Sequence, residues 1–462
     1  MRFTLTFLQD DFERLTGHLF RSENEEAAYL LCGMSTAPNE TRLLVREVIP
    51  VPATEIDESS QLHMQIQQPS FLRPIKGAAE RGLCFVFAHS HPPTVPEHSP
   101  QDDRTEESLF RTAYNRIHNE NAIHGSMVFS SKEKPVGRIS LPDGTRVPME
   151  RIRVVGRRFR FAMDVSRTNI RLNFFSRQIL VFGDELQKLL RHLTIGIVGM
   201  GGTGSAVAEQ LVRLGVGRII AADAETLEDS NVTRVYGSHV RDVGAGKVEL
   251  LRRHAEAIGL GTIVEGIAGN ITDQAVARRF RECDVIFGCV DRERGRAILT
   301  QFALQYLVPV FDLGVKVESE GGDVKAVEGR ITTLLPGAAC LFCRGRISGD
   351  VLAAETLAEA DPAEYERLRL QGYVPELQTN APAVIPFTSS VASFAVTELL
   401  HRLSGYMGED RTSTELFLLF DDSKIIRNST PPLPQCRCAD PKSWGQGDSE
   451  PFLGLTWPSE NP

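Results

Sequence analysis

The apolar positions of this chain fall into short unbroken runs and into helical spacing, and over the second half the two alternate. Leu193-Thr194-Ile195-Gly196-Ile197-Val198 reads as a buried strand. The glycine-rich turn Gly199-Met200-Gly201-Gly202-Thr203-Gly204 follows, then Ala206, Val207, Leu211, Val212 and Leu214 at helical spacing. Arg218-Ile219-Ile220-Ala221-Ala222 is a second strand. Residues 308–314 and 325–335 predict further strands, and Val384 to Leu403 a long amphipathic helix stopped by Gly405. In the first half, residues 29–33 and 41–50 read as the strands of a hairpin, and residues 64–82 as a helix interrupted at Pro74. Leu83 to Ala88 forms a buried strand that runs into His89-Ser90-His91-Pro92-Pro93, and Ser99-Pro100-Gln101-Asp102 opens a helix through Leu109 and Tyr114.

This pattern predicts an α/β chain in four parts: a domain over residues 1–150, a linker over 151–170, a second domain over 171–440 and a tail over 441–462. The linker is basic, with arginines at 151, 153, 157, 158, 160, 167 and 171, and reads equally as a packing strand. The tail is rich in Gly, Pro and Ser and predicts loose order. A chain of 462 residues with 42% hydrophobic and 24% charged content is an ordinary folded globular protein. Its net charge of -9 and pI of about 5.8 argue against a general nucleic-acid or membrane-surface binder. No apolar run approaches the ~18 residues of a membrane helix. The amino terminus meets Asp10 and Asp11 too early for a signal peptide, so the expected location is cytoplasmic.

Strand, glycine turn and helix is the context of a nucleotide-phosphate loop: Gly199, Gly201 and Gly204 let backbone approach phosphate, and the helix N-terminus offers N–H groups to the anion. Asp223, at the end of the second strand, stands where a ribose-binding acid belongs. A nicotinamide oxidoreductase would look the same to this point. Ser230-Asn231-Val232-Thr233-Arg234, Gly244-Ala245-Gly246-Lys247-Val248 and Gly288-Cys289-Val290-Asp291 then follow, and with them the chain from about residue 170 to 440 resembles the ubiquitin-activating-enzyme superfamily in its ThiF/MoeB form. The resemblance implies a Rossmann-like adenylation domain with a mostly parallel sheet, in which Asp223, Asn231, Arg234, Lys247 and Asp291 converge on ATP, Asp291 holding Mg²⁺. It also implies that Ser176-Arg177-Gln178-Ile179-Leu180 matches a leading segment whose Arg, here Arg177, reaches the partner subunit's site, making the protein a homodimer, and that residues 344 to about 382 form a crossover loop over the adenylate.

His89 and His91 are two apart on an extended chain and therefore point the same way, as suits Zn²⁺, with Asp102 as a third ligand and a fourth position left for water. The spacing of His89, His91, Ser99 and Asp102 resembles the JAMM (JAB/MPN) metallopeptidases, which implies an N-terminal α+β domain of that type. By the same resemblance Glu26, in Glu26-Ala27-Ala28-Tyr29-Leu30-Leu31-Cys32-Gly33, is the general base rather than Glu25 or Glu23, and Ser99 stabilises the oxyanion. His63 and His98 read as surface residues, and Glu97, Asp103, Glu106 and Glu107 as solvated. Of eight cysteines, 32, 84, 283 and 289 read as buried small hydrophobes. Cys340, Cys343, Cys436 and Cys438 form two close pairs that suit a structural Cys₄ zinc site, against free thiols; relatives carry two C-x-x-C pairs, and the second pair here is one residue shorter.

Two such modules on one chain imply one shared substrate, a ubiquitin-like or sulfur-carrier protein ending in Gly-Gly. The JAMM module would trim or deconjugate it and the other would adenylate its terminal carboxylate, with a conjugating enzyme as further partner. The fusion resembles those of bacterial ubiquitin-like systems, antiviral operons among them; sulfur-carrier activation for cofactor or cysteine synthesis is the alternative. A catalytically dead scaffold would lack ligands that are all present here. No self-thioester is expected, because no cysteine lies between Cys343 and Cys436.

Overall fold

The computed structural model describes every residue except 61–62, 120, 167–171, 378–381, 409–410, 412, 456 and 458–462. It divides into two compact units, each taken here by itself. The first comprises residues 1–164, 305–307 and 442–449, and the second residues 165–304, 308–441 and 450–462.

The first unit runs β1 (Arg2–Leu8), α1 (Gln9–Leu19), β2 (Ala27–Ala37), β3 (Glu40–Pro50), a small hairpin of β4 (Ile56–Ser59) and β5 (Met64–Ile66), α2 (Gln68–Arg81), β6 (Cys84–Ser90), α3 (Pro100–Arg116), β7 (His124–Phe129), β8 (Pro135–Ser140), β9 (Arg146–Val155) and β10 (Phe159–Ala162). The large sheet has the order β1-β3-β2-β6-β7-β8-β9-β10. β1 pairs in parallel with both β3 and β9, so seven strands close into a ring. Its core includes Leu5, Phe7, Phe12, Leu30, Phe85, Val86, Met127 and Phe129. β6 is buried along its whole length, the reason it reads as an unbroken apolar run.

Three expectations change here. α2 continues through Pro74, which is buried, so a lost backbone hydrogen bond does not break this helix. The basic stretch expected as a linker is built into the sheet: Arg151 and Arg153 are buried on β9. Arg153 pairs with Glu40 at 2.8 Å, and Arg42 with the same carboxylate at 3.0 Å. Burial alone would push Glu40 up, but Arg153 and Arg42 hold it well below the usual carboxylate range, so the charges are buried as a set. Arg167 and Arg171 of that stretch lie outside the described residues. Finally, the glycine-rich tail is in part tightly packed. Thr36 N–H donates to Asp448 Oδ2 at 2.6 Å, Asp448 N–H donates to Met34 O at 2.7 Å, and a Cβ on Gly33 would stand 2.1 Å from Gly445 O. Glycine permits this backbone-to-backbone approach rather than looseness.

The second unit runs α4 (Ser176–His192), β11 (Thr194–Val198), α5 (Gly202–Arg213), β12 (Arg218–Ala222), α6 (Lys247–Ile258), β13 (Ile263–Ile267), α7 (Gln274–Arg279), β14 (Val285–Gly288), α8 (Glu293–Gln305), β15 (Val310–Glu320), β16 (Asp323–Leu334), α9 (Gly349–Ala360), α10 (Pro362–Leu370), α11 (Ile385–Ser404), β17 (Glu415–Leu419) and β18 (Lys424–Asn428). Its sheet has the order β13-β12-β11-β14-β15-β16-β17-β18. The first five strands are parallel and the last three antiparallel, each to its neighbour. Taken by chain position, the parallel part is a 3-2-1-4-5 doubly wound sheet. Strand order therefore reverses between β11 and β14, and the carboxyl ends of those two strands frame the crevice where such sheets take ligands. Among the described residues no helix is long and apolar enough to cross a membrane.

Candidate active sites and metal centres

β6 ends by delivering His89 and His91 to one face, and α3 begins with Asp102. His89 Nε2 lies 3.0 Å from His91 Nε2 and 3.1 Å from Asp102 Oδ1, and His91 Nε2 lies 3.4 Å from Asp102 Oδ2. Zinc–nitrogen bonds of ~2.0–2.1 Å in a tetrahedron imply donor separations of roughly 3.3 Å, so this donor set fits a zinc ion. His91 Nδ1 lies 3.2 Å from Val95 O and 3.1 Å from Glu97 O. Carbonyls only accept, so Nδ1 carries the proton and the Nε2 lone pair faces the cluster. Burial would raise the Asp102 carboxyl, but its contacts with the His89 and His91 imidazoles and with Ser99 N–H hold it well below its ordinary value.

Ser99 and Asp102 also form the capping box of α3. Asp102 N–H donates to Ser99 Oγ at 3.2 Å, and Ser99 N–H to Asp102 Oδ2 at 2.5 Å. Ser99 Oγ is an acceptor in this cap, which leaves its hydroxyl proton to donate elsewhere.

Glu26, expected as the base, faces away from this cluster. Its carboxylate receives Arg21 Nε at 2.8 Å and Nη2 at 2.7 Å, and Ser22 Oγ at 3.0 Å. Glu25 takes the place instead: Glu25 Oε1 is 3.8 Å from His91 Nε2, and burial raises its carboxyl above the ordinary value. The sheet register explains this. Ala27 is paired with His89, so the alternation of side chains puts Glu25, two residues before Ala27, on the histidines' face, while Glu26 sits with Ser90. A second correction concerns His98 and Glu106, expected at the surface. Their side chains are 7% and 1% exposed, His98 Nε2 is 3.0 Å from Ser126 Oγ, and Glu106 pairs with Arg138 at 2.7 Å. The only hint of this in the sequence is that Glu106 follows Asp102 by one helical turn.

In the second unit the glycine turn joins β11 to α5. Gly199 has φ +89°, and a Cβ there would stand 2.7 Å from Cys289 O; a Cβ on Gly204 would stand 1.8 Å from Gly199 O. Only glycine fits both positions. Asp223 Oδ2 accepts from Met200 N–H of that turn at 2.5 Å, and Asp223 Oδ1 from Glu225 N–H at 2.8 Å; burial raises its carboxyl. Lys247 opens α6 with its side chain 6% exposed, and its Nζ donates to Glu225 Oε2 at 2.5 Å. Asn231 is buried, and Arg234 lays its stem against the start of α5, 3.2 Å from where a Cβ of Gly202 would be. Asp291 follows β14 on the far side of the crevice and is exposed. Arg177 stands apart: Gln178 Nε2 donates to Arg213 O at the last residue of α5. At 1.5 Å per residue, α5 places that point ~17 Å from the glycine turn.

Cys340 and Cys343 follow β16, and Cys436 and Cys438 sit on a short helical turn. Cys340 Sγ is 3.8 Å from Cys343 Sγ and 3.6 Å from Cys436 Sγ, and Cys343 Sγ is 3.5 Å from Cys438 Sγ. A tetrahedron with zinc–sulfur bonds of ~2.3 Å has edges of roughly 3.8 Å, so the four thiols fit such an ion despite the shorter second pair. Arg344, its side chain 2% exposed, braces the site through Ala339 O, Glu415 and Thr414.

The ThiF family model matches residues 175–439, and the model of prokaryotic homologs of the JAB domain matches residues 8–138. Among curated relatives, ubiquitin-like modifier-activating enzyme 5 of Dictyostelium discoideum is 28% identical over 167 residues, 33% of this chain and 42% of that protein. Molybdopterin-synthase adenylyltransferase of Escherichia coli is 28% identical over 180 residues, 38% of this chain and 69% of that protein. A crystal structure of E. coli MccB with ATP is 19% identical at a TM-score of 0.46, covering 58% of this chain and 74% of that one. The chain thus spans less than half the length of the first of these relatives.

Proposed function

We propose a function for a chain that belongs to the ThiF family and carries a JAB-type domain ahead of it: it adenylates the terminal glycine carboxylate of a ubiquitin-like protein, and it hydrolyses peptide or isopeptide bonds made to that protein. The single observation that carries this reading is the meeting, at the switch point of the doubly wound sheet, of the glycine turn with Asp223, Arg234 and Lys247.

For adenylation, Asp223 takes the ribose hydroxyls, and the N-terminus of α5 with Asn231, Arg234 and Lys247 takes the phosphates. Lys247 exchanges Glu225 for phosphate oxygen. Asp291 is the residue that would hold Mg²⁺, which neutralises phosphate charge. A carboxylate oxygen of the carrier then attacks the α-phosphorus, the bond to the β-phosphate oxygen breaks, and pyrophosphate leaves. Since its neighbour Gln178 is bonded at the end of α5 that lies ~17 Å from the glycine turn, Arg177 acts from a second subunit. Exposed Leu180 and Val181 beside it, 81% and 70% accessible, support a homodimer through this region.

For hydrolysis, His89, His91 and Asp102 would hold zinc, which lowers the pKa of a bound water to roughly 7. Glu25 accepts the proton of the attacking water and passes it to the leaving amine. The Ser99 hydroxyl donates to the developing oxyanion. The four cysteines would hold a second, structural zinc.

The deciding experiment is ATP–pyrophosphate exchange with Gly-Gly carriers from the chain's own locus, an antiviral operon of a bacterial ubiquitin-like system being the expected setting. Exchange that depends on one carrier supports the reading, and none with any carrier sinks it. The relative named for molybdopterin synthase favours a second reading, sulfur-carrier activation. A thiocarboxylate product rather than a conjugate would select it.

A further inference from the structure

The loop that carries Asp291 runs from the end of β14 to the start of α8. Its first side is fixed to the sheet, because Cys289 N–H donates to Val198 O at 2.8 Å. Its second side is fixed by a residue far along the chain. Glu355 on α9 accepts Glu293 N–H on Oε1 at 3.1 Å and Arg294 N–H on Oε2 at 2.8 Å. These are first-turn donors of α8, which have no partner within the helix. The contact is reciprocal: Glu293 Oε2 accepts Ser348 N–H at 2.6 Å, where Ser348 is the residue that precedes α9. Arg294 also pairs with Glu359, one turn further along α9. Each helix therefore has N-terminal donors satisfied by a carboxylate of the other, and the two starts are tied together two residues from Asp291.

We infer that Glu355 is a positioning residue for the cation–nucleotide site: it anchors the start of α8 and thereby holds the Asp291 carboxylate toward the crevice. This rests on the adenylation reading of Asp291. A carboxylate bound by two backbone N–H groups is a charge-assisted pair favoured further by the helix dipole. Removing it loosens the loop on one side only, where the Glu293–Ser348 and Arg294–Glu359 contacts remain, since the β14 side keeps its bond to Val198. The consequence falls on the metal-dependent part of nucleotide binding rather than on the fold of the sheet. Because the tie is mutual, occupancy of the site by Mg²⁺ and ATP must in turn hold α9 in place.

The test is calorimetric titration of the full-length protein with ATP at a series of Mg²⁺ concentrations, together with amide hydrogen exchange. In E355A, the Mg²⁺ concentration for half-maximal ATP binding is expected to rise about tenfold, and the amides of Glu293 and Arg294 to exchange at least about tenfold faster. E355Q retains one acceptor and is expected between the two; it also serves if E355A fails to fold. In a D291A background E355A is expected to add no further shift in Mg²⁺ dependence, because the effect passes through that carboxylate. The inference is overturned if E355A weakens ATP binding equally at every Mg²⁺ concentration, if the shift persists undiminished in D291A, or if the two amides keep their protection. Wild-type protein that binds no ATP removes both this inference and the nucleotide site. Wild-type protein that binds Mg²⁺ and ATP but shows no pyrophosphate exchange removes the adenylation reading alone and leaves Glu355 its role.

Discussion

Glu25 stands 3.8 Å from His91, with its carboxylate on the side of the sheet that His89 and His91 share, whereas its neighbour Glu26 is bound to Arg21. The two carboxylates are adjacent in sequence and on opposite faces. Their exchange should therefore have opposite consequences. Glu25→Gln is expected to keep its zinc and lose at least about 100-fold in hydrolysis of a ubiquitin-like fusion. Glu26→Gln loses a partly exposed ion pair, so it should cost about 0–1 kcal/mol of stability and little activity. Zinc content by emission spectrometry and cleavage rates check both; full activity in Glu25→Gln would return the base to another residue.

Arg177 neighbours Gln178, which is bonded to Arg213 O at the far end of α5 from the glycine turn. If it serves the other subunit's site, mixing Arg177→Ala with Asp291→Ala protein restores about a quarter of wild-type pyrophosphate exchange, because half of random dimers are mixed and each has one intact site. No recovery after subunit exchange has been demonstrated by mass spectrometry would place Arg177 in its own site, or in none.

Burial pushes the Cys289 thiol well up, and raises Cys32 and Cys84 as well, the latter to about 12. A thiol without thiolate at neutral pH is a poor acyl acceptor. Cys283 is fully buried, and the remaining four cysteines are clustered for metal, so the protein should form no thioester with its own chain. Non-reducing gels after incubation with ATP, Mg²⁺ and carrier should show no dithiothreitol-sensitive adduct; one that disappears with a single Cys→Ala change overturns the expectation.

The four clustered thiols should bind about one zinc ion, and Cys438→Ser should lose it. Because binding to the folded state alone stabilises it, chelation should lower the melting temperature of wild-type protein more than that of the variant, which keeps only the His89, His91 and Asp102 site. Equal shifts in both would show that this cluster is not the stabilising site.

His124 gives a pH dependence. Its Nδ1 accepts Phe85 N–H at 3.1 Å, and burial lowers it from 6.5 to about 4. The neutral form is favoured in the folded state, so this contribution is complete above pH ~6.5 and is lost as pH falls toward ~4, a change of up to about 3 kcal/mol. Urea midpoints between pH 7 and 4 should fall less steeply in His124→Gln than in wild type. An unchanged slope would show that His124 does not titrate in this window.

Much of the candidate chemistry was legible because it lies in contiguous stretches. An apolar run, glycines and helical spacing announce β11, its turn and α5, since steric rules admit only glycine at positions such as Gly199. His89 and His91 share a face because a strand alternates with period two. Composition misled where context decided. The stretch holding Arg151 and Arg153 read as linker or packing strand by charge alone, but both are buried on β9, Arg153 against Glu40, and the glycines of the tail read as loose but allow backbone to pack on backbone.

By itself, then, the sequence determined the strand–glycine turn–helix that opens the second domain and the donor types at each cluster, which follow from local periodicity, spacing and turn chemistry, while the order of the two domains and the Rossmann-like sheet of the second were what its resemblance to known families implied. Tertiary structure alone decided which of two adjacent glutamates faces the histidines, because that depends on the register of β2 against β6, a pairing between segments about sixty residues apart. It alone decided that Cys436 and Cys438 close on Cys340 and Cys343, and that Glu355 ties α9 to the loop of Asp291. These are contacts between distant segments, and their energies exist only once the chain has folded to bring the partners within a few ångströms of each other.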